Sequence, residues 1–104
     1  MEKSEILRKI KNSVVKYDAE AEVYLYGSRA RGDYRSDSDW DILVISPNEK
    51  ITFDYELQLR DGIVDLELNS GESISILVYS KKDWIGKRAI SPLFTNVSKE
   101  GIKI

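Results

Sequence analysis

The chain has 104 residues, 41% hydrophobic and 33% charged, with a formal net charge of −2. That describes one globular domain spanning 1–104, and the acidic balance counts against bulk electrostatic attachment to nucleic acid. Cysteine and histidine are both absent, which excludes disulfides, thiolate metal sites and any imidazole base; chemistry would have to use carboxylates, hydroxyls, Lys, Arg and an oxygen-liganded cation.

The N-terminal segment MEKSEILRKIKNSVVKYDAEAE mixes charges and lacks the apolar core of a signal peptide. No stretch approaches the length of a membrane span, so the cytoplasm is the expected location. Ile6, Ile10, Val14 and Tyr17 recur at spacings of four, four and three, which predicts a helix over 5–17 with Ser4 as its N-cap. EVYLYGS reads as a short strand rich in β-branched and aromatic residues, stopped at Gly27 where the backbone is free to turn. DWDILVIS reads as a second strand, nearly continuous in apolar character as for a strand buried on both faces, and closed by Pro47. The connection between them is too short for a crossover helix, so the two strands should pair antiparallel or meet through a tight irregular turn.

Residues 53–69 are ambiguous. Phe53, Leu57, Val64 and Leu68 fit a helical stripe, yet YELQL and IVDLEL each alternate about an Asp-Gly, a strong hairpin signal. SISILVYS predicts a further strand, and SKKDWIGKRA a short helix capped by Ser80. Lys81, Lys82, Lys87 and Arg88 around Trp84 are read as a solvated amphipathic face with Trp84 in the core, the other reading being contact with an acceptor or partner. Beyond a proline break, Leu93, Phe94, Val97 and Ile102 should bring the tail back onto the sheet. NVSKEG carries no evident chemistry.

The densest chemistry lies in GSRARGDYRSDSDWDILV, residues 27–44. Strand side chains alternate, so Asp39 and Asp41 share a face with Cα atoms roughly 6.5–7 Å apart. Two carboxylates so placed repel in a dry core but converge well on a divalent cation. Gly27 lets the backbone pass close to a ligand, and Ser28 offers a hydroxyl and an N–H to phosphate oxygens. Each feature alone has a plainer explanation: a Gly-Ser turn, a solvated Asp-x-Asp, and arginines paired with Asp33 and Asp37. The conjunction is more informative, with Gly27-Ser28, ten intervening residues, then Asp39-x-Asp41 leading into ILVIS. Tyr24 and Tyr26 flank this stretch, where packing on the sheet or stacking on a base are both open to them.

This stretch resembles the signature of the DNA polymerase β-like nucleotidyltransferase superfamily, and the short chain is most similar to the minimal nucleotidyltransferases, including MntA-like antitoxins paired with HEPN toxins. The resemblance implies an α/β (α+β) fold, a small mixed β-sheet with helices packed on one face. It implies transfer of a nucleoside monophosphate from an NTP such as ATP to an acceptor hydroxyl, with a HEPN-like protein among the candidate partners. Asp39 and Asp41 would be the catalytic, Mg²⁺- or Mn²⁺-binding acids. Gly27 and Ser28 would hold the β/γ-phosphates; Arg29 and Arg31 would contact the triphosphate or serve as structural ion pairs. The resemblance also favours a helix over 53–69. The family's third carboxylate would then fall near Ser75, where no acid stands, so turnover is in question. Were 63–68 a strand, Asp65 or Glu67 would be candidates for that role, with Glu72 a looser one. An inactive, antitoxin-like binding module is therefore the rival reading.

Overall fold

The structure is a computed structural model that describes residues 3–87 and 90–104. Helix α1 (Lys3–Tyr17) comes first, then strand β1 (Glu22–Tyr26) and a single helical turn, α2 (Ser28–Arg31). Strand β2 (Trp40–Ser46), helix α3 (Phe53–Ser70) and strand β3 (Ile74–Ser80) follow. Helices α4 (Lys81–Gly86) and α5 (Pro92–Glu100) and the two-residue strand β4 (Ile102–Lys103) complete the chain. The sheet order is β3-β2-β1-β4. β1 runs antiparallel to both β2 and β4, whereas β2 and β3 are parallel, as they must be when a helix carries the chain back between them.

Strand alternation divides the core in two. Val23 and Leu25 of β1, Trp40, Ile42 and Val44 of β2, and Ile74 and Ile76 of β3 point to one face. There they meet Ile6, Ile10 and Val14 of α1 and Tyr55, Leu59 and Ile63 of α3. On the other face Leu43 and Ile45 pack with Trp84 of α4 and Val97 of α5, flanked by Tyr24, Tyr26, Leu77 and Tyr79. The two long helices thus share one face as expected, and the short α4 and α5 cover part of the opposite one. β2 is buried on both sides, which accounts for its unbroken apolar run.

Local signals explain most boundaries. Thr52 and Ser80 accept hydrogen bonds from the N–H groups of Tyr55 and Asp83, capping α3 and α4. Ser91 caps α5 in the same way, with Pro92 in its first turn. Ser4, expected as the cap of α1, lies instead within the helix, which begins by Lys3. Tyr17 of the expected apolar face is 43% exposed and contributes only an edge-on contact with Tyr55, at 5.2 Å between ring centroids.

Residues 53–69 are helical, with no hairpin. Asp61-Gly62 sits mid-helix because α1 packs there: a Cβ at position 62 would come 2.6 Å from Ser13 Oγ. The close approach outweighs the helix cost of glycine, about 1 kcal/mol relative to Ala. Tertiary packing also decides which side of α3 is inside, for the core takes Tyr55, Leu59 and Ile63 and leaves Phe53, Leu57, Val64 and Leu68 exposed. At the end of β2 remote from α2, Asp18 accepts hydrogen bonds from Ser46 Oγ (2.9 Å) and Tyr55 Oη (2.8 Å), tying α1, β2 and α3 together. No described helix is long and apolar enough to cross a membrane.

Candidate active site

The site is assembled where β1 ends and β2 begins. In the antiparallel register Tyr26 lies opposite Asp41, so the next residue, Gly27, passes directly over the Asp41 side chain. Gly27 has φ 75° and ψ −159°, a conformation few L-residues adopt. A Cβ on Gly27 would also collide with Asp41 Oδ2. Glycine is required on both counts, by the turn and by the proximity of a carboxylate. Immediately beyond it, Ser28 opens α2, whose turn is closed by the N–H groups of Ala30 and Arg31 donating to Gly27 O, each at 3.1 Å.

Asp39 and Asp41 are brought to this junction together. Asp39 is exposed just ahead of β2, and Asp41 is partly buried on the strand. Burial, and then the charge of Asp39, raise the Asp41 carboxyl above its ordinary value, with Arg31 pulling it partway back. Tyr26 is pushed up to about 12, by burial first and by the charge of Asp41 and the neighbouring Tyr79 next. None of the ion pairs among the described residues uses Asp39 or Asp41. Two adjacent oxygen donors, one of them with its ionisation disfavoured and neither in an ion pair among the described residues, suit a hard divalent cation that completes its shell with water and phosphate oxygens.

The two arginines of the turn have different environments. Arg29 is buried, 6% exposed. Its guanidinium lies over the rings of Trp40 (4.1 Å) and Tyr34 (4.7 Å) and donates to the Ser38 and Ser36 carbonyls. Glu72 stands 3.8 Å away and also accepts from Trp40 Nε1. Of the two roles expected for Arg29, triphosphate contact and structural pairing, these contacts are of the second kind, and its fork ties down the loop 33–39 that leads to Asp39. Arg31 is exposed and lies within reach of Asp33 (3.2 Å) and Glu100 (3.1 Å).

Sequence reasoning missed Glu100. At the end of α5 its Oε1 accepts from Gly27 N (3.2 Å), and both carboxylate oxygens take Arg31 Nη1. A side-chain anion thus rests on one of the backbone donors assigned to phosphate. The available signal was slight: an acid just before Gly101, in a tail expected to fold back.

Ser75 is paired with Asp41 in the β2–β3 register, lies on the same face, and is exposed. The place expected for a third carboxylate is therefore beside Asp41 and holds a hydroxyl. The alternatives are elsewhere. Asp65 and Glu67 are on α3, Glu67 accepting from Ile74 N (2.9 Å) at the start of β3, and Glu72 is engaged with Trp40 and Arg29. Among the described residues no three acids gather in one cluster. Trp84 is in the core as read from the sequence, and Lys87 lies over the Tyr79 ring at 5.1 Å. Arg88 of that segment is outside the described residues.

Comparison with known proteins agrees with this fold. The family model described as a nucleotidyltransferase domain matches residues 7–100. No curated protein matches the chain by sequence. Among solved structures, one described as a minimal nucleotidyltransferase is 25% identical, covers 100% of this chain and 97% of its own, and has a TM-score of 0.65. A toxin–antitoxin structure with AMP-PNP is 18% identical over 92% of this chain and 69% of its own, with a TM-score of 0.63. The MntA–HpeT toxin–antitoxin shares 14% identity over 99% of this chain and 71% of its own, at a TM-score of 0.57. The last two are likenesses of fold.

Proposed function

The chain belongs to the nucleotidyltransferase domain family, and from that premise we propose that it transfers a nucleoside monophosphate from an NTP to an acceptor hydroxyl at the junction of Gly27-Ser28 with Asp39 and Asp41. The observation that carries the proposal is the seating of the Asp41 carboxylate directly against a glycine that tolerates no side chain. That arrangement leaves a backbone surface beside an acid pair, as a triphosphate with its cation requires.

In this reading the acceptor oxygen forms a bond to the α-phosphorus while the α–β phosphoanhydride breaks. The electron pair leaves with pyrophosphate, and the acceptor proton passes to solvent. Ser28 donates its hydroxyl and N–H to the terminal phosphates. Arg31, held by Glu100 and Asp33 at the surface, exchanges those carboxylates for phosphate oxygens. Asp39 and Asp41 would hold Mg²⁺ or Mn²⁺, which when bound neutralises the triphosphate and polarises the α-phosphorus. A neighbour solved with AMP-PNP makes ATP the first nucleotide to test. The acceptor hydroxyl is assigned to a partner protein of the HEPN toxin type, following the toxin–antitoxin neighbours and the resemblance to MntA-like antitoxins.

Calorimetric titration with ATP and Mg²⁺ tests the site. Wild type should give saturable binding that Asp41→Asn or Asp39→Asn weakens at least tenfold, and equal binding by both variants removes the metal-site assignment. Two observations favour a second reading, a binding module that neutralises its partner without chemistry: Ser75 replaces the expected acid, and Glu100 occupies the Gly27 N–H. Neutralisation of the partner by wild type and Asp39→Asn alike would select that reading. Partner modification in the presence of ATP, raised in Ser75→Asp, would select the enzyme.

A further inference from the structure

α3 is apolar on two opposed sides. At about 100° per residue, Leu59 and Ile63 turn to the core, while Phe53, Val64, Leu57 and Leu68 fall within a sector of about 60° on the far side. Those four are 81%, 47%, 47% and 79% exposed, and the stripe they form runs about 22 Å along the helix. Anchors at i, i+4, i+11 and i+15 keep to one face of the helix, the kind of apolar stripe that meets a partner helix or groove. The edges of the stripe are acidic. Asp54, Asp61 and Asp65 follow one edge. Glu56 and Glu67 follow the other, with Arg60 already held by Glu56 at 2.9 Å. Glu67 is turned toward the start of β3.

We propose that this face of α3 docks a partner protein's amphipathic helix whose apolar stripe is edged by lysine or arginine. Charge chooses the occupant. Pairing α3 with α3 of a second copy would set the uncompensated Asp54 and Asp61 against an identical pair, and like charges across an interface are unfavourable. The basic helix of a second copy, α1, is no better suited, because its outward residues Ser4, Arg8, Asn12 and Lys16 offer no apolar stripe. Lys9 and Lys16 stand with Asp65 around the groove between α1 and α3, so the uncompensated acids facing outward are Asp54 and Asp61. The surface is separate from the Asp41 junction and does not depend on whether transfer takes place there.

The test uses two 18-residue helical peptides with the same leucine stripe, one flanked by lysines and one by glutamates, titrated against the full chain by fluorescence anisotropy. The lysine peptide should bind at least tenfold more tightly. Leu57→Ser with Leu68→Ser should weaken it at least tenfold, without change in the circular dichroism spectrum. Asp54→Lys with Asp61→Lys should shift the preference toward the glutamate peptide. Equal binding of the two peptides, or lysine-peptide binding that survives the double serine variant, overturns the proposal. So does a dimer of the chain alone, seen by sedimentation and dispersed by that variant, because a second copy would then own the face. ATP affinity is measured on the same variants: its retention alongside lost peptide binding separates this surface from the nucleotide site, and either can fail without the other.

Discussion

The two faces of the sheet are finished differently. The face under α1 and α3 is sealed along the whole of β2, with Trp40, Ile42 and Val44 at 2% exposure or less. The face under α4 and α5 is sealed over Leu43 and Ile45 but reaches Asp41, Ser75 and Tyr26 at its open end. One strand therefore presents a hydrophobic wall to one side and, two residues from its own core, a partly buried carboxylate to the other. Buried apolar side chains are concentrated on the first face, and the proposed site lies at the margin of the second, beside half-buried Asp41 and exposed Ser75.

Substitutions on either face should separate these roles. The largest loss is expected from Ile42→Ala on the sealed face: about 2–5 kcal/mol from a domain of this size, read as a lower urea midpoint, with ATP binding by the folded fraction unchanged. Arg29→Ala comes next, at about 1–3 kcal/mol, since it leaves the Ser36 and Ser38 carbonyls without their donor. Arg29→Lys should fail to rescue it, because an ammonium cannot stack on Trp40 and reach both carbonyls. Arg31→Ala, two residues on and exposed, should leave the urea midpoint unchanged and weaken ATP binding. Were Arg31→Ala the more destabilising of the two, the division of labour between these arginines would be wrong.

Gly27→Ala tests the boundary between the faces. It should cost about 1–3 kcal/mol in backbone strain and displace Asp41, so that ATP binding falls further than stability does. Asp41→Asn should have the smallest effect on folding, and in the opposite direction. The folded-state pKa of Asp41 is raised, so ionisation opposes folding: the stability associated with the protonated carboxyl is present below the ordinary carboxylate range and lost as pH rises through the folded value. Removing the charge should therefore raise the thermal midpoint at neutral pH. The gain should shrink as pH falls toward 4, about the ordinary aspartate value, while ATP binding with Mg²⁺ is lost. A midpoint lowered at neutral pH would show the carboxylate to be a structural partner instead.

The first three strands, the antiparallel pairing of β1 with β2, the cap at Ser80 and the turn at Gly27 were legible because each rests on neighbours in the chain. Gly27-Ser28 and Asp39-x-Asp41 were legible as a pair because a hairpin-like return brings residues twelve to fourteen positions apart together. α3 was not. Its two opposed apolar stripes and its Asp61-Gly62 imitate alternation about a turn, and Ser13 of α1, a contact no local pattern contains, is what Gly62 answers.

Sequence by itself determined α1, the first three strands and α4, the acid pair and the glycine turn, since these follow from backbone preference and alternation over a few residues. Tertiary structure alone decided that Arg29 is spent on Trp40 and the loop carbonyls, that Glu100 comes 73 residues along the chain to rest on Gly27, and that Phe53, Leu57, Val64 and Leu68 face outward. In each case the partner lies far away in the sequence, and burial and charge are settled only when distant segments meet.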